Sequence, residues 1–179
     1  MTEHKTKDGR PFTIRQPTED DARNIIDYSR MLFASTDQVL TTLEEYTVTV
    51  QQEQTWISNF NDDPNSVLLI AVMQHQIAGL LFFVGGPKKK NAHTGELGVS
   101  VHPDFQSCGI GRQLIVSLIQ WAQNNPVIEK VFLNVFATNE KAIRLYKNLG
   151  FTEEGRFIRA VKQPDGAYVD VLQMYIMTK

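Results

Sequence analysis

The sequence predicts an α+β (mixed α/β) fold, in which helices interrupt the strands of a central sheet unevenly. Two observations support this class: apolar, β-rich runs recur along the chain, and helical spacing of apolar residues separates some of them but not all. With 179 residues, 42% hydrophobic and 21% charged, residues 1–179 are expected to form a single domain around one packed core.

Seven strands are predicted from β-rich runs that end at glycine, proline or polar turns. They comprise residues 12–15, 66–72, 77–84, 95–101, 130–136, 156–161 and 168–177. Residues 73–76 indicate a hairpin between the second and third strands, and the sequence Pro-Asp-Gly at 164–166 is a strong turn signal between the last two. Residues 1–11 are predicted to be a flexible N-terminus or an edge strand.

Helices are predicted after Thr18 to about residue 33, over 50–60, from Gly111 to about residue 125, and over 139–148. Thr18 and Asp21 have the spacing of a capping box, which begins the first helix. Gly150 stands where the C-terminal cap of the last helix belongs. The polar residues 35–49 have no period that predicts an element.

Composition excludes several functional classes. The formal net charge of −2 leaves no basic surface of the kind that nucleic acid requires. The single cysteine cannot form an intrachain disulfide and fits a reducing compartment, and the apolar runs are too short to span a bilayer as helices. The three histidines in the middle of the chain share no metal-ligand spacing. We therefore expect a cytoplasmic protein without a metal, nucleic-acid or membrane partner.

The predicted strand-to-helix turn at residues 106–112 reads QSCGIGR. Glycines at 109 and 111 permit positive φ or the close approach of a ligand. The amides of residues 107–112 can then converge at the positive end of a helix dipole, an arrangement that binds phosphate, and Arg112 would add a full charge. The turn lacks the GxxxxGK[ST] of a P-loop, and Leu114 replaces the third glycine of a Rossmann turn. Taken alone, the two glycines also fit a plain tight turn.

Two motifs resemble those of the GNAT superfamily of acetyl-CoA-dependent N-acetyltransferases. The sequence QSCGIG matches the loop [RQ]-x-x-G-x-[GA], preceded by GELGVSVHPDFQ, which resembles the family's fourth strand and its exit. About thirty residues on, NVFATNEKAIRLYKNLGF at 134–151 resembles its fifth strand and following helix. Residues 66–154 carry the resemblance, which implies a mixed, mostly antiparallel sheet of about seven strands, with helices on both faces and a splay between the fourth and fifth strands.

The resemblance also implies how acetyl-CoA is bound. The pantetheine arm would enter the splay and pair with the backbone of Val99 and Val101, where a bulge would free an N–H for the thioester oxygen. The pyrophosphate would lie on the glycine loop, and Asn139 would cap the last helix, contact pantetheine, or do both. The cofactor-binding residues so implied are Val99, Val101, Gln106, Ser107, Cys108, Gly109, Ile110, Gly111, Arg112 and Asn139.

Tyr146 is the candidate general acid for the leaving thiolate, and Glu96 is the candidate general base for the amine. The structural alternatives are a tyrosine that packs on its helix and an exposed edge carboxylate. Asp170 and Glu154 are weaker candidates for the base. Cys108 is interpreted as a small residue beside the phosphates rather than a nucleophile, so direct transfer to the acceptor is expected.

The resulting functional hypothesis is acetyl transfer from acetyl-CoA to a primary amine, either a protein N-terminus or a small amine or amino-acid-like acceptor. The C-terminal hairpin resembles both ribosomal-protein N-terminal and small-amine acetyltransferases, so the acceptor stays open. Two alternatives are a non-catalytic acyl-CoA sensor and an α/β domain that binds another nucleotide at residues 106–112. Many relatives are homodimers, but no interface can be named from the sequence.

Overall fold

The computed structural model describes residues 2–179. Its strands are β1 (Thr2–Lys5), β2 (Pro11–Arg15), β3 (Val67–Met73), β4 (Gln76–Gly85), β5 (Thr94–Val101), β6 (Lys130–Phe136), β7 (Thr152–Lys162) and β8 (Tyr168–Met177). Its helices are α1 (Ala22–Ser35), α2 (Val50–Asp62), α3 (Ile110–Asn124) and α4 (Glu140–Asn148). Within residues 2–179, no helix is both long and apolar enough to cross a membrane.

All strands belong to one sheet in the order β1-β2-β3-β4-β5-β6-β8-β7. Every neighbouring pair is antiparallel except β5 and β6, which are parallel. That parallel pair is short: only residues 94–96 of β5 lie opposite residues 130–132 of β6. Beyond these residues β5 continues to Val101 and β6 to Phe136 without pairing with each other, so the two strands splay apart.

The mixed, mostly antiparallel sheet and its splay are as predicted, but the sheet has eight strands instead of about seven. The additional strand is β1, which pairs antiparallel with β2 and forms one edge of the sheet. The side chains of β1 are polar, so a search for apolar runs does not find this strand. An edge strand can have this composition because it pairs with a neighbouring strand on one side only. The splay therefore lies between the fifth and sixth strands of the chain.

Side chains alternate across the sheet and form two apolar clusters, one on each face. On one face α1 and α2 pack on β3 and β4 through residues such as Ile57, Leu68 and Leu80. On the other face α3 and α4 cover the centre of the sheet, where Leu114 and Leu133 are buried. Any ligand in the splay would therefore lie between two packed layers.

The predicted capping box of Thr18 and Asp21 is present, and it closes a short 3-10 turn at Glu19–Asp21 that leads into α1. The Asp21 carboxylate accepts a hydrogen bond of 2.8 Å from the Thr18 N–H and two of 2.7 Å from Arg15. Arg15 foremost, and then the Thr18 N–H, hold the pKa of Asp21 below its usual range. Further along α1, the buried Tyr28 hydroxyl donates to Ser100 Oγ on β5 at 2.9 Å, which joins this helix to the strand at the splay.

Candidate active site

The splay exposes backbone groups of β5 in the middle of the sheet. The His102 N–H donates to the Ala78 carbonyl at 3.0 Å, and the register between β4 and β5 is unbroken. Because hydrogen-bonded pairs alternate in an antiparallel ladder, the even-numbered residues of β5 bond to β4. Val99 and Val101 therefore direct their N–H and C=O groups to the opposite side, where β6 has already diverged.

The expected bulge near Val99 is absent, and that detail of the sequence analysis is wrong. No register shift interrupts the pairing of β4 with β5. The N–H of Val99 lacks a strand partner for a different reason, namely that β6 is paired only as far as Phe132. An extended ligand chain can satisfy these groups as a third strand would.

The two faces of β5 carry different chemistry. Val99 and Val101 pack against the core beneath α3, as apolar side chains should. Glu96 is exposed on the face that carries α1 and α2, and Asn134 Nδ2 of β6 donates to Glu96 Oε1 at 2.9 Å. This hydrogen bond crosses the gap where the strands begin to part. Glu96 Oε2 makes no hydrogen bond within residues 2–179, so it is open to an amine or a water.

The glycine loop lies at the other end of the gap, where β5 leads into α3. Gly109 has φ of +99° and Ser107 has φ of +64°, which turn successive amides toward one side just before the first turn of α3. Amides 107–112 donate no hydrogen bond within the part of the chain that the structure describes. Such a group of free amides at the positive end of a helix binds phosphate oxygens.

The two glycines have different roles. Gly109 needs its positive φ, which a residue with a Cβ adopts only with strain. A Cβ on Gly111 would lie 3.2 Å from Val101 Cγ2 and 3.9 Å from Leu145 Cδ2. Gly111 thus permits α3 to pack closely on β5, and the idea that its missing Cβ leaves room for phosphate is not supported.

Two basic residues flank this loop. Arg112 is exposed in the first turn of α3, and Lys141 of α4 donates from Nζ to Gln106 Oε1 at 3.0 Å. Neither forms an ion pair with any described residue. The loop thus has uncompensated positive charge beside its free amides, as an anion site requires.

Cys108 faces away from the gap. Its Sγ lies 3.4 Å from Arg10 Nη2, on the turn between β1 and β2, and 3.5 Å from the Gln106 carbonyl. The thiol is only partly exposed. The thiol thus belongs to the phosphate loop and points to the turn between β1 and β2 rather than to the strand that exposes Val99.

Tyr146 lies on α4 with its ring in the core beside Phe151, at 5.8 Å between ring centroids. Burial raises the pKa of Tyr146 to about 12, so the phenol is protonated at neutral pH. Its hydroxyl makes no hydrogen bond within residues 2–179, and the residue is 8% exposed. The hydroxyl proton is therefore not committed to another group of the protein.

The other sequence candidates are engaged in local contacts. Asn139 Oδ1 accepts the Ala142 N–H at 3.2 Å and so caps α4. Asp170 accepts the Arg159 N–H at 2.7 Å and Arg156 Nε at 2.9 Å, and these contacts, Arg159 first, lower the pKa of Asp170. Glu154 is paired with Lys130. Glu96 is thus the carboxylate beside the gap that keeps a free oxygen.

Residues 36–49 link α1 to α2 and contact the segments that follow β6 and β7. Thr138 Oγ1, just after β6, donates to Gln38 Oε1 at 3.3 Å, and Gln163 Nε2 of the β7–β8 turn donates to the Asp37 carbonyl at 3.3 Å. These contacts place the linker on the side of the sheet that carries Glu96. The sequence offers no period here because the segment makes turns rather than a helix or strand.

Residues 33–151 match the model of the acetyltransferase (GNAT) family, and the chain belongs to that family. It is accordingly an acetyl-CoA-dependent N-acetyltransferase. L-amino acid N-acetyltransferase AaaT of Escherichia coli K12 is 26% identical over 119 residues, which cover 66% of this chain and 73% of the relative. Spermidine N(1)-acetyltransferase of Vibrio cholerae is 26% identical over 135 residues, or 75% and 76% of the two chains.

Similarity to the ribosomal-protein enzymes is more local. The [ribosomal protein bS18]-alanine N-acetyltransferase of Salmonella typhimurium is 44% identical over 55 residues, which cover 31% of this chain and 36% of that enzyme. Among solved structures, a GNAT acetyltransferase from Streptococcus pneumoniae superposes with a TM-score of 0.90 at 23% identity over 93% of this chain and 99% of its own. A Salmonella typhimurium acetyltransferase with acetyl-CoA bound has a TM-score of 0.82 at 22% identity, with 94% of each chain covered. These superpositions confirm the predicted fold.

Sequence reasoning missed two residues of this site. Asn134 stands at the start of the quoted motif and Lys141 in its middle, but neither had a role until the structure brought them to Glu96 and Gln106. For Asn134 the signal was an exposed amide within an otherwise apolar strand. No sequence signal marked Lys141, because its partner lies 35 residues away.

Gly109→Ala should destabilise the fold and weaken CoA binding together. Alanine in the left-handed region costs about 1–2 kcal/mol, and relief of that strain would turn the loop amides away from a common point. Thermal unfolding and calorimetric titration with CoA measure the two effects. Gly155→Ala, with no neighbour within 4 Å and no positive φ, is the matched control. A folded Gly109→Ala protein with unchanged CoA affinity would contradict the assignment of the loop.

Proposed function

We propose that the protein acetylates a primary amine by direct attack of that amine on the thioester of acetyl-CoA. The observation that carries this proposal is the run of unpaired β5 backbone at Val99 and Val101, which is followed, after a short 3-10 helix at Pro103–Phe105, by the free amides of the glycine loop. These two features together match a donor with an extended, amide-containing arm and a diphosphate.

In this proposal the pantetheine arm pairs with the backbone of Val99 and Val101. The diphosphate lies on the loop, contacted by Gln106, Ser107, Cys108, Gly109, Ile110, Gly111 and Arg112. Asn139 acts chiefly by capping α4, which fixes the position of Tyr146 about two turns further along that helix. The chain acts as a single domain, and we place it in the cytoplasm on the strength of its lone cysteine.

The chemical step has four parts. The amine nitrogen bonds to the thioester carbon, and the Val99 N–H stabilises the negative charge that develops on the carbonyl oxygen. The carbon–sulfur bond then breaks, and the electron pair leaves on the sulfur of CoA. Before attack, the ammonium proton of the acceptor passes to Glu96 directly or through water. Tyr146 donates its proton to the thiolate, and the proton that the nitrogen loses as the amide forms returns the tyrosinate to its protonated state through water. The products are the acetylated amine and CoA.

Glu96 suits the role of base by its position. An aliphatic amine with a pKa of about 10.4 is mostly protonated near neutral pH, so a proton acceptor is required before attack. The bond from Asn134 fixes one carboxylate oxygen and leaves the other open on the face that the linker at 36–49 partly covers. The acceptor would therefore approach between this linker and the sheet.

The relatives narrow the acceptor to a shared chemical group. Their names specify L-amino acids, spermidine and the alanine of a ribosomal protein, all of which present a primary amine. A non-catalytic acyl-CoA sensor is the alternative. The Tyr146 hydroxyl proton, which no other protein group accepts, and the oriented Glu96 favour turnover, since a sensor needs neither.

Release of free thiol from acetyl-CoA, followed with a panel of amino acids, polyamines and peptides that begin with alanine, tests the proposed activity. At least one primary amine should raise the rate well above hydrolysis, and its N-acetylated form should reach the mass expected for one acetyl group. Secondary and tertiary analogues of that amine serve as controls. Tight CoA binding with no amine-dependent thiol release across the panel would favour the sensor.

Tyr146→Phe should lower kcat by about 10²- to 10⁴-fold while the KM for acetyl-CoA changes little, because the lost hydroxyl acts on the leaving group. Tyr28→Phe is the matched control: it removes the hydroxyl of another buried tyrosine whose partner is Ser100, and kcat should stay within a few-fold. Steady-state kinetics with saturating amine and varied acetyl-CoA give kcat and the KM for acetyl-CoA of each variant. A loss of less than about threefold in Tyr146→Phe would identify a packing residue.

Cys108→Ala should stay active within about threefold, because the thiol faces Arg10 and the Gln106 carbonyl rather than the gap. Intact-mass measurement after incubation with acetyl-CoA alone should show no added acetyl group. An inactive Cys108→Ala protein that still binds acetyl-CoA, together with an acetylated Cys108 in the native chain, would replace direct attack by a two-step mechanism.

A further inference from the structure

The turn between β1 and β2 contacts the glycine loop, although these strands lie at the far edge of the sheet. The Lys7 N–H donates to the Cys108 carbonyl at 2.9 Å. Lys7 Cγ lies 3.7 Å from the position that a Cβ on Gly109 would occupy. The stem of the Lys7 side chain therefore lies against the residue whose left-handed conformation gathers the loop amides.

This turn is held in a fixed conformation by its own hydrogen bonds. Thr6 is 5% exposed, and its backbone N–H donates to the Arg10 carbonyl at 2.9 Å. The Thr6 hydroxyl accepts the Arg10 N–H at 2.9 Å and contacts Asp8. Gly9 closes the turn with φ of +87°. A side chain carried by such a turn has a defined starting point, which lowers the entropy cost of a contact with a ligand.

The two cations of the turn differ in their partners. Arg10 Nε is paired with Asp8 at 2.8 Å, so its charge is already compensated. Lys7 is exposed and forms no ion pair with residues 2–179. Lys7, Arg112 and Lys141 thus bring three uncompensated charges from three separate elements to one loop. A diphosphate alone would not require the charge of Lys7 in addition to those of Arg112 and Lys141, whereas a ligand with a further phosphate would use it.

We infer that Lys7 is a phosphate-binding residue that extends the loop site to the nucleotide half of coenzyme A. The turn lies outside residues 33–151, where the family model matches, so Lys7 is a contribution of this chain's own N-terminal hairpin. The inference rests on the proposed function, since it takes coenzyme A as the ligand of the loop. It gives the hairpin a role in donor affinity beyond closing the edge of the sheet.

Calorimetric titration with CoA, acetyl-CoA and 3′-dephospho-CoA tests the inference on the full chain. Lys7→Met keeps the stem and removes the charge, and it should weaken CoA binding by about 5- to 20-fold, the range of a partly screened charge-assisted contact. Lys7→Arg should restore affinity to within about twofold. Lys5→Met, on the neighbouring strand of the same hairpin, should bind as the native chain does.

The dephospho arm identifies the phosphate that is contacted. If the effect of Lys7→Met disappears with 3′-dephospho-CoA, Lys7 binds the 3′-phosphate as inferred. If the effect persists, Lys7 binds the diphosphate, and the extension of the site to a further phosphate is overturned. The inference is overturned if Lys7→Met binds CoA as tightly as the native chain, or if Lys5→Met weakens binding equally. A native chain that binds no CoA at all would refute the proposed function as well, which is a separate and recognisable result.

Discussion

The site depends on the early separation of β5 from β6. Each strand keeps its outer antiparallel partner along its length, β5 with β4 and β6 with β8, while the contact between them ends after three residue pairs. Unpaired N–H and C=O groups inside a sheet are costly unless something else bonds to them. The fold tolerates that cost between β5 and β6, where the unpaired backbone groups can bond to an extended amide chain.

Close packing of α3 joins this slot to the glycine loop. Both Gly111 and Gly79 face neighbours that a Cβ would press, at 3.2 Å from Val101 Cγ2 and 3.0 Å from Leu114 Cδ1. The absence of two side chains lets the helix lie directly on β4 and β5. Residues 102–109, which include a short 3-10 helix at Pro103–Phe105, connect the end of β5 to the first turn of α3, and the free loop amides lie at the end of this connection. The two halves of the site are parts of one rigid unit, because interiors packed at this density transmit displacement rather than absorb it.

The sequence predicted the second half of the molecule well because that half is locally determined. β6 occupies the predicted residues 130–136, and Gly150 has the positive φ of a helix C-terminus. The splay itself and the roles of Val99 and Tyr146 came from the family resemblance, since no period or propensity marks a backbone group that lacks a partner. The sequence of β1 fits either a flexible N-terminus or an edge strand, because a polar edge strand has the composition of a loop. Asn134 and Lys7 escaped because their contacts, to Glu96 and to Cys108, join segments far apart in sequence.

The alternation of hydrogen-bonding direction along β5 has a consequence for the length of the acyl group. Groups at 98 and 100 are committed to β4, so a donor in the slot meets a free site only at every second residue. A donor can therefore shift along the strand only in steps of about 6.8 Å, which is far coarser than one methylene. Sliding cannot make room for a longer acyl chain. The extra carbons would have to extend toward Glu96 and Asn134, into the space that the amine needs. The spacing of free hydrogen-bonding groups along β5 therefore limits the length of the acyl group that can be transferred.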